Sequence, residues 1–321
     1  MSVLVAIPAR YASTRYPGKP LVPLRGASGV SKTLIRRSWE AAQAVQGVDR
    51  VVVATDDDRI RAEAEGFGAE VVMTSSDCVN GTERCAEAFD ALGGGFDIVV
   101  NLQGDAPLTP AWFIEDLVAG LRADPVAEVA TPVLRCDGRA LNGFLDDRKA
   151  GRVGGTTAVF TANHHAMYFS KEVVPFTSQK YDDDAETPVF HHVGVYAYRP
   201  DILGQYPDWP IGPLEGLEGL EQLRFLENGR AVLCVEVDAR GRQFWELKHP
   251  SNVARLEAMM ALCPRIYVSL SFGKQSTVVA HLAQTIDPSI PMYFLASTET
   301  WSLYDYPEVV TDYQRRFKPA L

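Results

Sequence analysis

Two periods of apolar and polar residues alternate along the first half of the chain. Residues 3–7 form an unbroken apolar run, the pattern of a strand buried on both faces. Residues 31–43 instead set Leu34, Ile35, Trp39 and Ala42 on one face at helical spacing. The same pair of patterns recurs: a strand at 50–55, a helix at 58–65 with acidic residues at its positive end, a strand at 70–73, a helix at 82–92 and a strand at 96–102. Such alternation predicts an α/β fold with a doubly wound, mostly parallel sheet. The rhythm changes in the middle, where 129–133, 156–161, 166–169 and 190–198 are β-rich and predict a smaller mixed-sheet region. A helix is predicted at 213–228, a strand at 232–237 and a helix at 251–262. After Pro264 the pattern restarts, with strands at 265–270 and 292–295 and helices at 276–285 and 303–317. A main domain of residues 1–263 with a short α/β appendage, 264–321, is the organisation this predicts.

Composition narrows the class. The 321 residues can bury a full-sized core, and a net charge of −10 disfavours general binding to nucleic acid. A local basic pocket is compatible with that charge, because its field reaches only about a Debye length. The five cysteines show no C-x-x-C spacing, which predicts reduced thiols and a cytoplasmic protein rather than a disulfide framework or zinc site. The chain enters a strand at once without a signal-peptide pattern, and it has no apolar run long enough to span a bilayer, so no membrane partner is expected.

Candidate chemistry sits at the strand ends. Behind the first strand, Ile7-Pro8-Ala9-Arg10-Tyr11-Ala12-Ser13-Thr14-Arg15-Tyr16-Pro17-Gly18-Lys19-Pro20-Leu21 is a turn-rich loop carrying Arg10, Arg15 and Lys19. Open α/β sheets bind ligands at such carboxyl ends, and guanidinium and ammonium groups there suit a triphosphate. A solvated basic loop is the other reading of the same charges. At the end of the fourth strand of the alternation, Gln103-Gly104-Asp105 presents a hard carboxylate ligand suited to Mg²⁺, or a residue capping the next turn. Asn80-Gly81-Thr82-Glu83-Arg84 opens a helix whose free N–H groups can meet a nucleotide or be satisfied by a local cap.

The ordered run from Ile7 to Leu21 resembles the signature of the 3-deoxy-manno-octulosonate (Kdo) cytidylyltransferase family, and the likeness continues with gaps to about residue 257. The resemblance implies transfer of CMP from CTP to Kdo or a close keto-sugar acid, with pyrophosphate released, for lipopolysaccharide or capsule synthesis. It implies a homodimer, with 129–200 as the substrate and dimerisation region. Through it Arg10, Lys19 and Asp105 become the catalytic set. Pro8, Ala9, Arg10, Arg15, Lys19, Asn80, Gly81, Thr82, Arg84 and Gln103 become the nucleotide contacts. His192 and Tyr196, in an H-x-G-x-Y-x-Y-R strand, and Glu215, at the head of P-L-E-x-x-E-x-L-E-Q-L-R, are implied on the sugar side together with Gln103. Glu218 and Glu221 read as salt-bridged or solvated. Asp105 is the implied magnesium ligand.

The chain departs from the family at several places. Ala106 stands where a glutamate is usual, and Gly154-Gly155-Thr156-Thr157-Ala158-Val159 lacks the lysine of the matching strand. The late aspartate segment is replaced by Phe244-Trp245-Glu246-Leu247-Lys248-His249-Pro250, which makes Glu246 the candidate second metal ligand. The stretch from Val268 to Val278 is similar to the pyrophosphate loop of ATP pyrophosphatases and phosphoadenosine phosphosulfate reductases, with Phe272 and Gln275 departing. It implies a truncated unit and, as an alternative function, adenine-nucleotide chemistry there. A nucleotide-sugar binding protein without catalysis is a third reading.

Overall fold

The computed structural model describes residues 2–240, except 13–15, 27–28 and 154, together with Val253. The appendage, Arg15, Glu246 and all but one residue of the predicted 251–262 helix lie outside the described residues. In chain order the first half comprises β1 (Val3–Ala9), β2 (Pro23–Arg25), β3 (Ser31–Thr33), α1 (Leu34–Gln43), β4 (Arg50–Thr55), α2 (Asp58–Gly66), β5 (Glu70–Met73), α3 (Gly81–Ala91), β6 (Ile98–Leu102) and α4 (Ala111–Ala123). The second comprises β7 (Val129–Asp137), α5 (Gly138–Lys149), β8 (Thr156–Phe160), β9 (Ala166–Ser170), β10 (Glu186–His192), β11 (Val195–Tyr198), α6 (Pro200–Gln205), α7 (Pro213–Glu218), α8 (Leu223–Glu227) and β12 (Val232–Glu236).

One sheet runs β5-β4-β1-β6-β11-β7-β10-β8-β9, with β12 alongside β7. β5, β4, β1 and β6 are parallel, and β11 enters antiparallel to β6. β1 is buried throughout, as its apolar run predicts. Its side chains alternate: Val3, Val5 and Ile7 pack with Ile35 of α1, Ile60 of α2 and Phe113 of α4. Leu4 and Ala6 face the opposite layer, with Cys85 of α3, Ile202 of α6 and Phe225 of α8. Each such fully buried aliphatic side chain stabilises the fold by about 1.5–3 kcal/mol.

The sheet changes partner at one point, and that point makes room for a site. β10 and β11 follow one another along β7, but β10 pairs on its other side with β8, and β11 with β6. Between them lie Val193 and Gly194, so the tip of β6 and the start of β8 leave a gap over this stretch. The order β5-β4-β1-β6 also reverses direction between β1 and β6, whose carboxyl ends are where ligands bind in such sheets.

Two expectations need correction. Residues 31–33 form β3, paired with β2, and the helix begins only at Leu34. The predicted helix at 213–228 is broken into α7 and α8, because Gly219 adopts a left-handed conformation (φ 59°) that ends α7. No helix among the described residues is long and apolar enough to cross a membrane.

Candidate active site

The tips of β1 and β6 meet at a distance only glycine allows. A Cβ on Gly104 would lie 2.8 Å from the Pro8 carbonyl oxygen, and the Gly104 carbonyl accepts a hydrogen bond from Ser38 Oγ of α1 at 3.0 Å. Gly81 plays the same part for α3, since a Cβ there would lie 2.9 Å from Gln103 Nε2. Three chain segments thereby converge on a cavity of about 620 Å³. Gly104→Ala is therefore expected to push the two strand tips apart and cut turnover by at least about 100-fold, since small misplacements at a reacting centre cost that much. Steady-state rates beside a melting curve check this.

Pro8, Ala9, Arg10, Lys19, Asn80, Gly81, Arg84, Gln103 and Asp105 all line this cavity. Lys19 starts a short 3₁₀ turn behind Gly18, whose positive φ of 69° and bond to the Tyr11 carbonyl close the loop. Its ammonium makes an ion pair with Asp105, which also lines the cavity. The cationic loop and the acid at the next strand tip thus face one ligand space. Arg10 is exposed to the cavity, and its guanidinium donates to the Val79 carbonyl at 3.4 Å. Arg84 is a buried cation 3.5 Å from Asp56, donating also to Thr74 Oγ1 at 2.5 Å.

Asn80 caps α3: its side chain accepts from Glu83 N–H at 2.9 Å, while Glu83 reaches back to Val79 N–H. Its amide nitrogen donates to Tyr206 Oη. Thr82 is fully buried, its hydroxyl 2.9 Å from Tyr198 Oη, and does not line the cavity with its neighbours.

On the other wall, His192 and Tyr196 line the cavity from the two strands flanking the gap. The Thr131 hydroxyl has carbonyl acceptors in Val195 (2.9 Å) and Val193 (3.2 Å), so His192 Nε2, also 2.9 Å from it, is the donor of that pair. Tyr196 donates to Gln222 Oε1 at 3.0 Å.

Glu215 is not brought to the cavity. Both its carboxylate oxygens are taken by the buried guanidinium of Arg224, at 2.7 and 2.8 Å, which makes it a partner of the core rather than a wall residue.

Glu221, Gln222 and Lys171 are wall residues that sequence reasoning missed. The break at Gly219 turns the following segment inward, so Glu221 is half-buried in the cavity wall and has no cationic partner among the described residues. Its carboxylate accepts from Thr82 N–H at the head of α3 and from Gln103 Nε2, each at 3.1 Å. Burial pushes its pKa above the usual carboxylate value. Gln222 is buried with an amide nitrogen that has no partner among the described residues. Lys171, just after β9, is a further cation of the cavity wall.

The four cysteines among the described residues offer no ready nucleophile. Burial pushes the Cys136 and Cys234 thiols up to about 12, and burial with a hydrogen bond to Glu87 does the same to Cys78.

Residues 4–234 match the family model described as cytidylyltransferase. The chain belongs to the cytidylyltransferase family. It is 46% identical, over 81% of its length and 98% of the relative's, to a 3-deoxy-manno-octulosonate cytidylyltransferase of Maricaulis maris. It is 38% identical, over 81% of its length and 99% of the relative's, to an 8-amino-3,8-dideoxy-manno-octulosonate cytidylyltransferase of Shewanella sp.. Among solved structures, a CMP:2-keto-3-deoxy-manno-octonic acid synthetase in complex with CTP matches with a TM-score of 0.69 at 33% identity, covering 82% of this chain and 99% of that one. The cytidylyltransferase therefore carries the nucleotide-diphospho-sugar transferase fold, built on the mostly parallel α/β sheet that its alternating pattern predicts.

Proposed function

We propose that this cytidylyltransferase transfers CMP from CTP to 3-deoxy-manno-octulosonate, releasing pyrophosphate. One observation carries the reading. A cationic loop, the capped head of α3, an acid at a strand tip and a wall of hydrogen-bonding side chains border a single cavity. Its relatives act on two sugar acids that differ, by their names, at carbon 8, and the higher identity is to the Kdo enzyme.

The reaction asks little covalent chemistry of the protein. The anomeric hydroxyl of the sugar acid attacks the α-phosphorus, the bond to the bridging oxygen breaks, and pyrophosphate leaves in line. Arg10 and Lys19 hold the triphosphate and the charge that builds on it. Asn80, Gly81, Arg84 and Gln103 border the nucleoside side, at the capped head of α3. His192, Tyr196, Glu221 and the Gln222 amide nitrogen, which has no partner among the described residues, face the sugar hydroxyls. Lys171, which has no acid partner among the described residues, receives the sugar carboxylate. Lys171→Met is expected to raise KM for the sugar acid by about tenfold or more, with KM for CTP little changed, since a charged hydrogen bond contributes about 1.5–3 kcal/mol. Equal changes in both constants would remove this role.

A magnesium ion belongs to the same proposal. Among the described residues no three His, Cys, Asp or Glu are grouped to cage a metal. A half-buried carboxylate at a triphosphate site nonetheless fits magnesium, which is commonly held by one or two carboxylates plus substrate oxygens. Asp105 would hold it, and the ion would supply charge neutralisation at the phosphates. A homodimer, a cytoplasmic location and a part in lipopolysaccharide or capsule assembly complete the reading, supported by the family resemblance. Largely exposed Met167 and Phe176 lie in the stretch assigned to dimerisation.

Pyrophosphate release from each nucleoside triphosphate, with Kdo and its 8-amino analogue as acceptors, tests the proposal. CTP with Kdo is expected to be the fastest pair. Release that needs no sugar acid, or that prefers the amino sugar, would overturn it.

A further inference from the structure

The ion pair between Lys19 and Asp105 bears on the order in which ligands load. Their side chains are 19% and 22% exposed, so the pair is partly shielded from water. Lys19 is delivered from a turn anchored by buried Pro20, and Asp105 from the loop that ends β6. A divalent cation approaching Asp105 in the nucleotide-free protein meets a carboxylate already neutralised by an ammonium in contact with it. Among the described residues it also finds no group of three His, Cys, Asp or Glu side chains to complete its shell. A triphosphate reverses both conditions, because it offers oxygen ligands to the ion and a stronger anionic partner to the lysine.

We infer that Lys19 is a placeholder for the metal. In the free protein it occupies the Asp105 carboxylate. When the triphosphate enters, Lys19 transfers to the phosphates and uncovers Asp105, so metal and nucleotide load together. This rests on the reading of Asp105 as the metal ligand. It makes Lys19 a positioning residue for loading as well as a contact for phosphate.

The test uses Mn²⁺ alone, titrated into the full-length protein without nucleotide and followed by the paramagnetic resonance of the free ion. The parent protein is expected to bind weakly. Lys19→Met, which keeps bulk and removes charge, is expected to bind at least about tenfold more tightly, and Lys19→Arg to stay weak. The double variant with Asp105→Asn should lose the gain. Lys19→Met or Lys19→Gln binding no more tightly than the parent overturns the placeholder, as does parent protein that binds Mn²⁺ equally well with and without nucleotide. A second arm measures the affinity of an α,β-methylene analogue of CTP with and without Mn²⁺. If Mn²⁺ strengthens that binding equally in the parent and in Asp105→Asn, the metal assignment itself fails, and the placeholder with it.

Discussion

Asp105→Asn is expected to lower kcat by about 1,000-fold or more while leaving the protein folded, because with Asp105 as the proposed magnesium ligand a metal-held phosphate would lose several kcal/mol of transition-state stabilisation. The substitution keeps the shape of the side chain and removes only its charge. Its folding cost is small, since the ion pair with Lys19 lies at the rim of a cavity and not in the packed layers. Partly exposed pairs contribute about 1 kcal/mol or less, which in a domain of this size moves Tm by about 2–4 °C. Pyrophosphate release and a thermal melt on the same preparation separate the two effects. Turnover near that of the parent would take Asp105 out of the reaction, and a collapse of Tm would mean the residue holds the fold instead.

The parts of this site that local sequence makes legible are those tied to parallel strand ends. Asp105 and the Arg10–Lys19 loop follow β6 and β1, two neighbours in the sheet, so a strand pattern and a charge pattern together suffice to place them. The sugar side is harder because it depends on where strands change partners. Nothing in residues 186–198 announces that β10 pairs with β8 while β11 pairs with β6, although that switch opens the gap beside His192 and Tyr196. Glu221 and Gln222 are hidden for another reason. Helical periodicity from 213 to 228 runs through Gly219, and only its positive φ turns the segment inward. Lys171 follows an apolar strand and reads as a solvated lysine. α4, by contrast, carries Phe113, Ile114, Leu117 and Leu121 at helical spacing, a signal the residues themselves offer.

Glu215→Ala is expected to cost about 3–5 kcal/mol of stability, the loss seen when one partner of a buried ion pair is removed. The Arg224 side chain is only 2% exposed and its charge cannot be shed. It would keep a hydrogen bond to Glu83 at 2.9 Å and the face of Tyr206 at 4.2 Å, which places the cost toward the lower end of that range. The damage should spread to the cavity wall. Arg224 ties the segment after Gly219 to Glu83 at the head of α3, and Tyr206 Oη bonds the Glu221 carbonyl at 3.0 Å. Glu215→Gln, which keeps the shape and some of the hydrogen bonding, separates the structural role from a direct one. Assayed well below its melting temperature, it should be less stable in urea but close to the parent in KM for the sugar acid. A raised KM at unchanged stability would instead make Glu215 a sugar ligand, as the family resemblance implies. The double replacement Glu215→Leu with Arg224→Met completes the case. Removing both charges at once leaves neither of the two unpaired, but Glu83 loses its guanidinium, so only part of the stability that the single alanine loses should return.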